Sequence, residues 1–264
     1  EVSIIDGYAF YGQTHLKYIQ FNSKLTTINE YAFNGMTQLR TITLPSTITK
    51  INKEAFTTCI SLKYVIMKDR TTDITIEADS KVFDENSELK IYTVKDYPSD
   101  KTICGMTPER VIMEYGKDTE TIEWIYKTDK TLFIYGIGKM KEYSETETKT
   151  WNTKKEDCEH IEIDENIETI TKQSFKDFIK VQDIRIPTTV NTIGEYILRG
   201  CVALGQITVT NGNGNYSSDA NGVLYHTNSK TLLQYPLGKQ TITEYSIPSG
   251  VEIIERYAFE KEQH

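Results

Sequence analysis

Tyr8-Ala9-Phe10, Tyr31-Ala32-Phe33 and Glu54-Ala55-Phe56 stand 23 residues apart each time. A fixed interval of that length marks a solenoid, in which one repeat cannot cover its own apolar side and must stack on its neighbours. Outward from each phenylalanine, apolar residues fall eight and five positions before it: Val2 and Ile5, Leu25 and Ile28, Ile48 and Ile51. Others fall six, nine and eleven after it: Leu16, Ile19 and Phe21, then Leu39, Ile42 and Leu44, then Leu62, Val65 and Met67. The same offsets return around Phe175, around Leu198, and ahead of Phe259 at Val251 and Ile254. A degraded row at Phe83 keeps Leu89, Tyr92 and Val94 after four extra residues.

Each row reads as a short strand, a loop, a second extended piece and a helical turn. In Leu39-Arg40-Thr41-Ile42-Thr43-Leu44-Pro45 apolar and polar residues alternate with the two-residue period of a half-buried strand, and the proline ends it. A small residue beside a large aromatic lets neighbouring coils approach while the phenyl ring fills the interior. Parallel strands are expected near 17–21, 40–44, 63–67, 90–94, 160–163, 182–186 and 205–209, with Phe33 and Phe56 buried. Each fully buried Leu, Ile or Phe contributes about 1.5–3 kcal/mol.

Val181 to Pro187, Val190 to Gly194 and Leu198 to Cys201 resemble the rows of the BspA-like leucine-rich repeats, as do Leu39 to Pro45 and Ala55 to Cys59. The resemblance implies an α/β repeat solenoid: a right-handed leucine-rich-repeat coil with a parallel sheet on its concave side. It further implies a cell-surface or secreted protein of mucosa-associated anaerobic bacteria or parasitic protists, acting in adhesion and host-protein binding.

Two β-hairpins interrupt the rows. One is Trp124-Ile125-Tyr126, a turn at Lys127-Thr128-Asp129-Lys130, and Thr131 to Tyr135; the other is Val223-Leu224-Tyr225, a turn around Thr227 to Lys230, and Thr231 to Tyr235. The run from Thr131 through Gly136, Gly138, Met140, Tyr143 and Trp151 is similar to a family segment placed ahead of an array to cover its open first coil, since an exposed sheet edge is a pairing hazard. Asp219-Ala220-Asn221-Gly222-Val223-Leu224-Tyr225 is similar to the family's D-G-V-L-Y insertion. The expected organisation is a first array at 1–95, a junction at 96–119, a capping hairpin segment at 120–157, and a second array at 158–264 with its hairpin insertion near 211–240.

Formal net charge is −8, with −1 in residues 1–117 and −7 in 118–264, which argues against nucleic acid as a partner. No apolar run reaches membrane-spanning length and no charged-then-apolar leader opens the chain. Val2 and Ile5 share the phase of Val251 and Ile254, and His264 falls one residue short of the next template leucine; a stretch of a longer array is expected. Cys59, Cys158 and Cys201 occupy core slots of the rows, and Cys104 lies outside them.

Catalytic signatures are missing. Gly136-Ile137-Gly138-Lys139 lacks phosphate-loop spacing and reads as a hairpin exit. Asp219 to Gly222 lacks the later bidentate glutamate of a calcium loop, and Asn211 to Asn215 is turn-rich. His15, His160, His226 and His264 fall in unrelated phases. Neither an enzyme activity, a cofactor nor a metal is expected. Asn215-Tyr216-Ser217 is a glycosylation sequon that matters only in a secretory eukaryotic setting.

On a parallel stack, residues at equal template positions align about 4.8 Å apart. The slot after the strand leucine holds Lys17, Arg40, Lys63 and Lys90; the outward slots beyond it hold Tyr18 and Gln20, Thr41 and Thr43, Tyr64 and Ile66. Basic and aromatic groups on one face suit an acidic or glycan surface. Equivalent slots in the second array read Glu159, Gln182 and Gly205, with His160, Asp183 and Gln206 next. The expected function is adhesion to a host extracellular protein or glycan through the first array's strand face; the other reading is a structural spacer within a longer surface protein.

Overall fold

The computed structural model describes residues 2–69, 74, 81–84, 88–144, 146–228, 230–239 and 243–260. The expectation placed on His264 lies outside the described residues. The chain forms two compact units, Glu1–Met113 and Glu114–His264.

In the first unit, β1 (Ile4–Ile5), β2 (Thr27–Ile28), β3 (Thr41–Leu44), β4 (Lys50–Ile51), β5 (Tyr64–Met67) and β6 (Lys90–Val94) follow in order, and β7 (Glu109–Lys117) crosses the division at Met113. Strands β1, β2 and β4 pair in parallel with Ile5, Ile28 and Ile51 in one rung. A second parallel sheet runs β3, β5, β6, with Ile42, Val65 and Ile91 in one rung. The slots chosen by the 23-residue template fill the core between these sheets: Leu25, Ile28, Phe33, Leu39, Ile42, Leu44, Ile48, Ile51, Phe56 and Val65 are all at most 1% exposed.

The row phenylalanines form a continuous stack. Ring centroids are 5.1 Å apart for Phe10 and Phe33, 5.0 Å for Phe33 and Phe56, and 5.4 Å for Phe56 and Phe83, with interplanar angles of 10–19°. Ala32 and Ala55 beside them are fully buried. Around each ring the backbone N–H groups two before, at, and two after the phenylalanine donate to the next coil, as Tyr31 to Lys53 O, Phe33 to Ala55 O and Gly35 to Thr57 O.

These corners correct the α/β expectation. The residues two before and two after the row aromatic are left-handed in coil after coil: Tyr31 (φ 54°) and Gly35 (81°), Glu54 (54°) and Thr58 (56°), Gln173 (56°) and Asp177 (63°). Left-handed residues interrupt any right-handed helix, so each expected helical turn is a tight non-helical corner. Among the described residues the one helical element is a 3-10 turn at Asn152–Lys154. The molecule is a β-solenoid carrying antiparallel hairpins.

Two strand expectations also change. Residues 17–21 form no strand; Phe21 fills the slot of Leu44 and Met67 but turns its ring edge onto Phe33 at 5.6 Å, a bulkier fit that accompanies a backbone off the ladder. In β6 the register is one residue away from the expected one. Ile91, not Tyr92, joins the interior; Tyr92 lies on the opposite strand face, 5.7 Å from the Tyr64 ring, because a one-residue shift exchanges the faces of a strand.

In the second unit come β8 (Ile122–Lys127), β9 (Thr131–Gly136), β10 (Gly138–Lys139), β11 (His160–Ile163), β12 (Ile167–Ile170), β13 (Asp183–Ile186), β14 (Thr192–Ile193), β15 (Gln206–Val209), β16 (Tyr216–Ser218), β17 (Leu224–His226), β18 (Thr231–Gln234) and β19 (Ile253–Ile254). Strands β8 and β9 form the expected hairpin. Strand β9 then opens a parallel stack β9, β11, β13, β15, with Leu132, Ile161, Ile184 and Ile207 in one rung. Strands β10, β12 and β14 make the other side.

The hairpin exit depends on Gly136, at φ 121°, where a Cβ would lie 2.0 Å from the Thr121 carbonyl oxygen. After it, Trp151 takes the place of a row phenylalanine. Its indole stacks on Phe175 at 6.1 Å and its Nε1–H donates to Ser174 O at 2.9 Å. The segment ahead of the rows therefore completes a coil of its own. It is pinned by buried Asp118, whose carboxylate accepts from the Tyr143 hydroxyl at 2.6 Å and from the Lys141 N–H at 2.8 Å.

The second hairpin joins β17 to β18, and β18 pairs in parallel with β19. Strand β16 pairs antiparallel with β17. The Tyr216 hydroxyl accepts the Ile193 N–H at 2.8 Å, so a side chain takes the place of the next coil's carbonyl.

Candidate binding surface

The ten strand-face residues of the first unit do not share one environment. Lys17, Gln20 and Lys90 are exposed; Tyr18, Arg40, Thr43 and Lys63 are half-buried. Thr41, Tyr64 and Ile66 are buried, at 7%, 3% and 0% exposure, so the tyrosine contact expected at Tyr64 is not available at the surface.

Parallel pairing brings some of them together. Thr41 stands opposite Tyr64 and Thr43 opposite Ile66, and the Lys63 N–H donates to Arg40 O at 2.8 Å, which sets Arg40 and Lys63 in adjacent coils at one level. The Lys63 ammonium lies 5.6 Å from the centre of the Tyr64 ring. Lys90 leaves the expected ladder: the shifted register puts it opposite Tyr64, and its ammonium pairs with Glu109 at 3.4 Å. Lys17 and Tyr18 sit on the irregular segment ahead of β3.

Two further residues meet this face: Tyr92, brought there by the shifted register of β6, and Glu109, at the start of β7. Glu109-Arg110-Val111-Ile112-Met113-Glu114-Tyr115 carries β-branched and aromatic residues in a run, and that signal was strong enough to find β7. Arg110 in this strand donates to the carbonyls of Tyr97, Pro98, Pro108, Ser99 and Lys101, which fixes the preceding loop.

The strand face of the second unit is polar and internally paired. His160 Nδ1 and Asp183 Oδ2 are 2.7 Å apart, Gln182 Nε2 donates to Glu159 Oε2 at 3.1 Å, Lys130 pairs with Glu159, and Lys127 lies 3.6 Å from Glu162. A depression of about 680 Å³ opens here, lined by Glu159, Lys180, Gln182, Asp183 and Gly205.

The cysteines at the row slots lie in the core. Cys59 and Cys158 are buried, and burial pushes both thiols up to about 12; Cys201 is pushed up for the same reason. Cys59 and Cys201 each donate to a carbonyl of the preceding coil, Phe33 O and Phe175 O, which makes them equivalent core rungs. Asp219 is engaged by its own turn: Oδ1 accepts the N–H groups of Asn221 and Val223, and Oδ2 accepts the hydroxyls of Tyr225 and Tyr245. Among the described residues no group of three His, Cys, Asp or Glu side chains is placed to hold a metal ion.

The model of the BspA-type leucine-rich-repeat region matches this chain in six copies, over residues 1–99 and 149–264. The chain belongs to that family. Solved structures match it at low identity. They include a leucine-rich-repeat protein of Eubacterium ventriosum (21% identity, 55% of this chain and 56% of that one, TM-score 0.29). A leucine-rich cell-surface protein of Faecalibacterium prausnitzii (20%, 80% and 50%, 0.28) and the pneumococcal vaccine antigen PcpA (18%, 89% and 48%, 0.41) also match. The chain spans about half the length of these proteins. No curated protein matches it by sequence. Among the described residues, no helix is long and apolar enough to cross a membrane.

Proposed function

We propose that this BspA-type chain is a cell-surface or secreted binding module that holds a host extracellular protein or glycan on the strand side of its first unit. The observation that carries this reading is the placement of Arg40 and Lys63 at one level of adjacent coils, with exposed Lys17 and Gln20 on the segment of the coil before them. Buried Tyr64 and Ile66 stiffen the platform beneath the charges and make no contact of their own with a partner. Cationic side chains at such a surface attract acidic proteins or anionic glycans and raise their encounter rate.

The attraction is screened over about 8 Å at physiological ionic strength, so binding is expected to weaken as salt rises. The test is retention of extracellular-matrix proteins and an anionic glycan array by the wild type and by Lys17→Glu/Arg40→Glu/Lys63→Glu. Retention by the folded triple variant is expected to fall by about tenfold or more. Equal retention by both moves the site elsewhere, and no retention by either leaves the spacer reading in its place.

A further inference from the structure

Gly205 interrupts a row of side chains without a packing reason. The same slot holds Glu159 and Gln182 in the two coils before it. Other glycines of this unit are required by close approach: a Cβ on Gly194 would stand 2.4 Å from Lys172 N, and one on Gly238 would stand 2.3 Å from Ala203 O. Within 4 Å a Cβ on Gly205 would meet only Gln182 O, at an ordinary 3.6 Å, and its φ lies outside the left-handed region. The coil can carry a side chain there, so the glycine's contribution is space. That space belongs to the depression of about 680 Å³ that Glu159, Gln182, Asp183 and Gln206 help to line. A second depression, of about 650 Å³, shares Asp183 and Gln206 with the first and continues past Arg185, Thr208 and Asn211. Together they make one trough along the strand side of the coils that carry β11, β13 and β15.

We propose that this trough is a binding site of its own and that its ligand is an uncharged oligosaccharide. Charge selects the ligand. The charged side chains lining the trough are Glu159, Asp183, Lys180 and Arg185, and their signs cancel. Each is already engaged within the chain: Glu159 with Lys130, Asp183 with His160 at 2.7 Å, Lys180 with Asp157 at 3.8 Å, and Arg185 through its Nε–H, which donates to Thr210 Oγ1 at 3.2 Å. A charged partner would have to break one of these pairs, and no net charge attracts it.

Hydrogen-bonding capacity is what remains. Among the described residues the Gln182 amide makes one side-chain bond, to Glu159 at 3.1 Å, which leaves its carbonyl oxygen and a second N–H. Asp183 uses Oδ2 for His160 and keeps Oδ1, and the Thr208 side chain is exposed. These groups both donate and accept, which is what the hydroxyls of a sugar ring require, each being a donor and an acceptor at once. The Gln206 amide is fixed in advance: its Nε2 donates to Ile207 O at 3.3 Å, and it packs where a Cβ on Gly222 would lie 2.9 Å from it. A wall ordered before the ligand arrives loses less entropy on binding. Equal slots recur from coil to coil about 4.8 Å apart, so a chain of like units matches the trough better than a single sugar.

The experiment presents the whole chain to immobilised neutral oligosaccharides ending in glucose, galactose or mannose, at physiological salt and at roughly 1 M salt, where the screening length is about 3 Å. Retention on at least one of them is expected, changed by less than about twofold between the two salts. Gly205→Gln, which refills the row, is expected to keep the wild-type urea midpoint and to lower retention by about tenfold or more. Gln182→Ala, at an exposed side chain, is expected to lower it by about fivefold and keeps the test open should the first variant unfold. The Lys17→Glu/Arg40→Glu/Lys63→Glu variant is expected to hold these sugars as the wild type does, so the cationic face of the first unit and this trough stand or fall separately. No neutral oligosaccharide held by the wild type, equal retention by the wild type and the folded variants, or retention confined to anionic glycans or matrix proteins overturns the proposal.

Discussion

Phe56→Ala is expected to destabilise the first unit by about 3–5 kcal/mol, among the largest losses any single side chain of this chain can produce. Phe56 is 1% exposed and stacks on both Phe33 and Phe83, so truncation removes a ring and leaves a void between three coils. The cavity cannot be closed by a shift of one neighbour. Each coil is held at its spacing by backbone bonds such as Phe33 N–H to Ala55 O at 2.9 Å and Phe56 N–H to Val82 O at 2.9 Å. Because stability in a solenoid is a sum of coil and nearest-neighbour interface terms, the damage should spread to the Phe33 coil first. Urea unfolding with hydrogen exchange on residues 25–67 reads both effects. A loss below about 1 kcal/mol would show that Phe56 is not an interior rung.

Gly194→Ala is expected to cost about 2–3 kcal/mol through overpacking. A Cβ on Gly194 would stand 2.4 Å from Lys172 N, 2.8 Å from Lys172 Cα and 2.9 Å from Thr171 C. All three are backbone atoms, so no rotamer change relieves the clash; the two coils must move apart and weaken the Gly194 N–H bond to Ile170 O at 2.8 Å. The same template slot holds Asn29 and Asn52 in the first unit, where the Asn52 side chain donates to Asn29 Oδ1 at 2.9 Å. The template tolerates a side chain there; the close approach of 171–172 does not. Gly214→Ala is the control, because a Cβ there meets nothing within 4 Å. Equal urea midpoints for the two variants would contradict this packing.

The interior was readable because inward slots repeat. Val2, Ile5 and Phe10 announce what Leu25, Ile28 and Phe33 do, and the repetition reports the partner coil as well as the residue. The hairpin at Trp124 to Tyr135 was readable from local chemistry, β-branched and aromatic residues around a polar turn. The left-handed corners were not, since Tyr31, Glu54 and Gln173 are not residues whose identity advertises positive φ. Their requirement comes from closing a coil within a fixed number of residues.

The strand face was the least legible part. Whether Tyr64, Ile66 and Thr41 meet solvent depends on what lies over the sheet, and alternation reports only which side a residue takes. The four extra residues before β6 hid the register, and with it the exchange of Ile91 and Tyr92. Arg40 and Lys63 came out level because their coils have equal length.

The central claim, that coils stack in 23-residue register with their phenylalanines face to face, is tested most directly by a double-mutant cycle on Phe33 and Phe56, each changed to leucine and measured by urea unfolding. Neighbouring aromatic rings are expected to couple by about 0.5–1.5 kcal/mol beyond their separate losses. Phe10 and Phe83, three coils apart and with no ring partner in common, should be additive within about 0.3–0.5 kcal/mol. Additivity for Phe33 and Phe56, or equal coupling in both pairs, would contradict the stack.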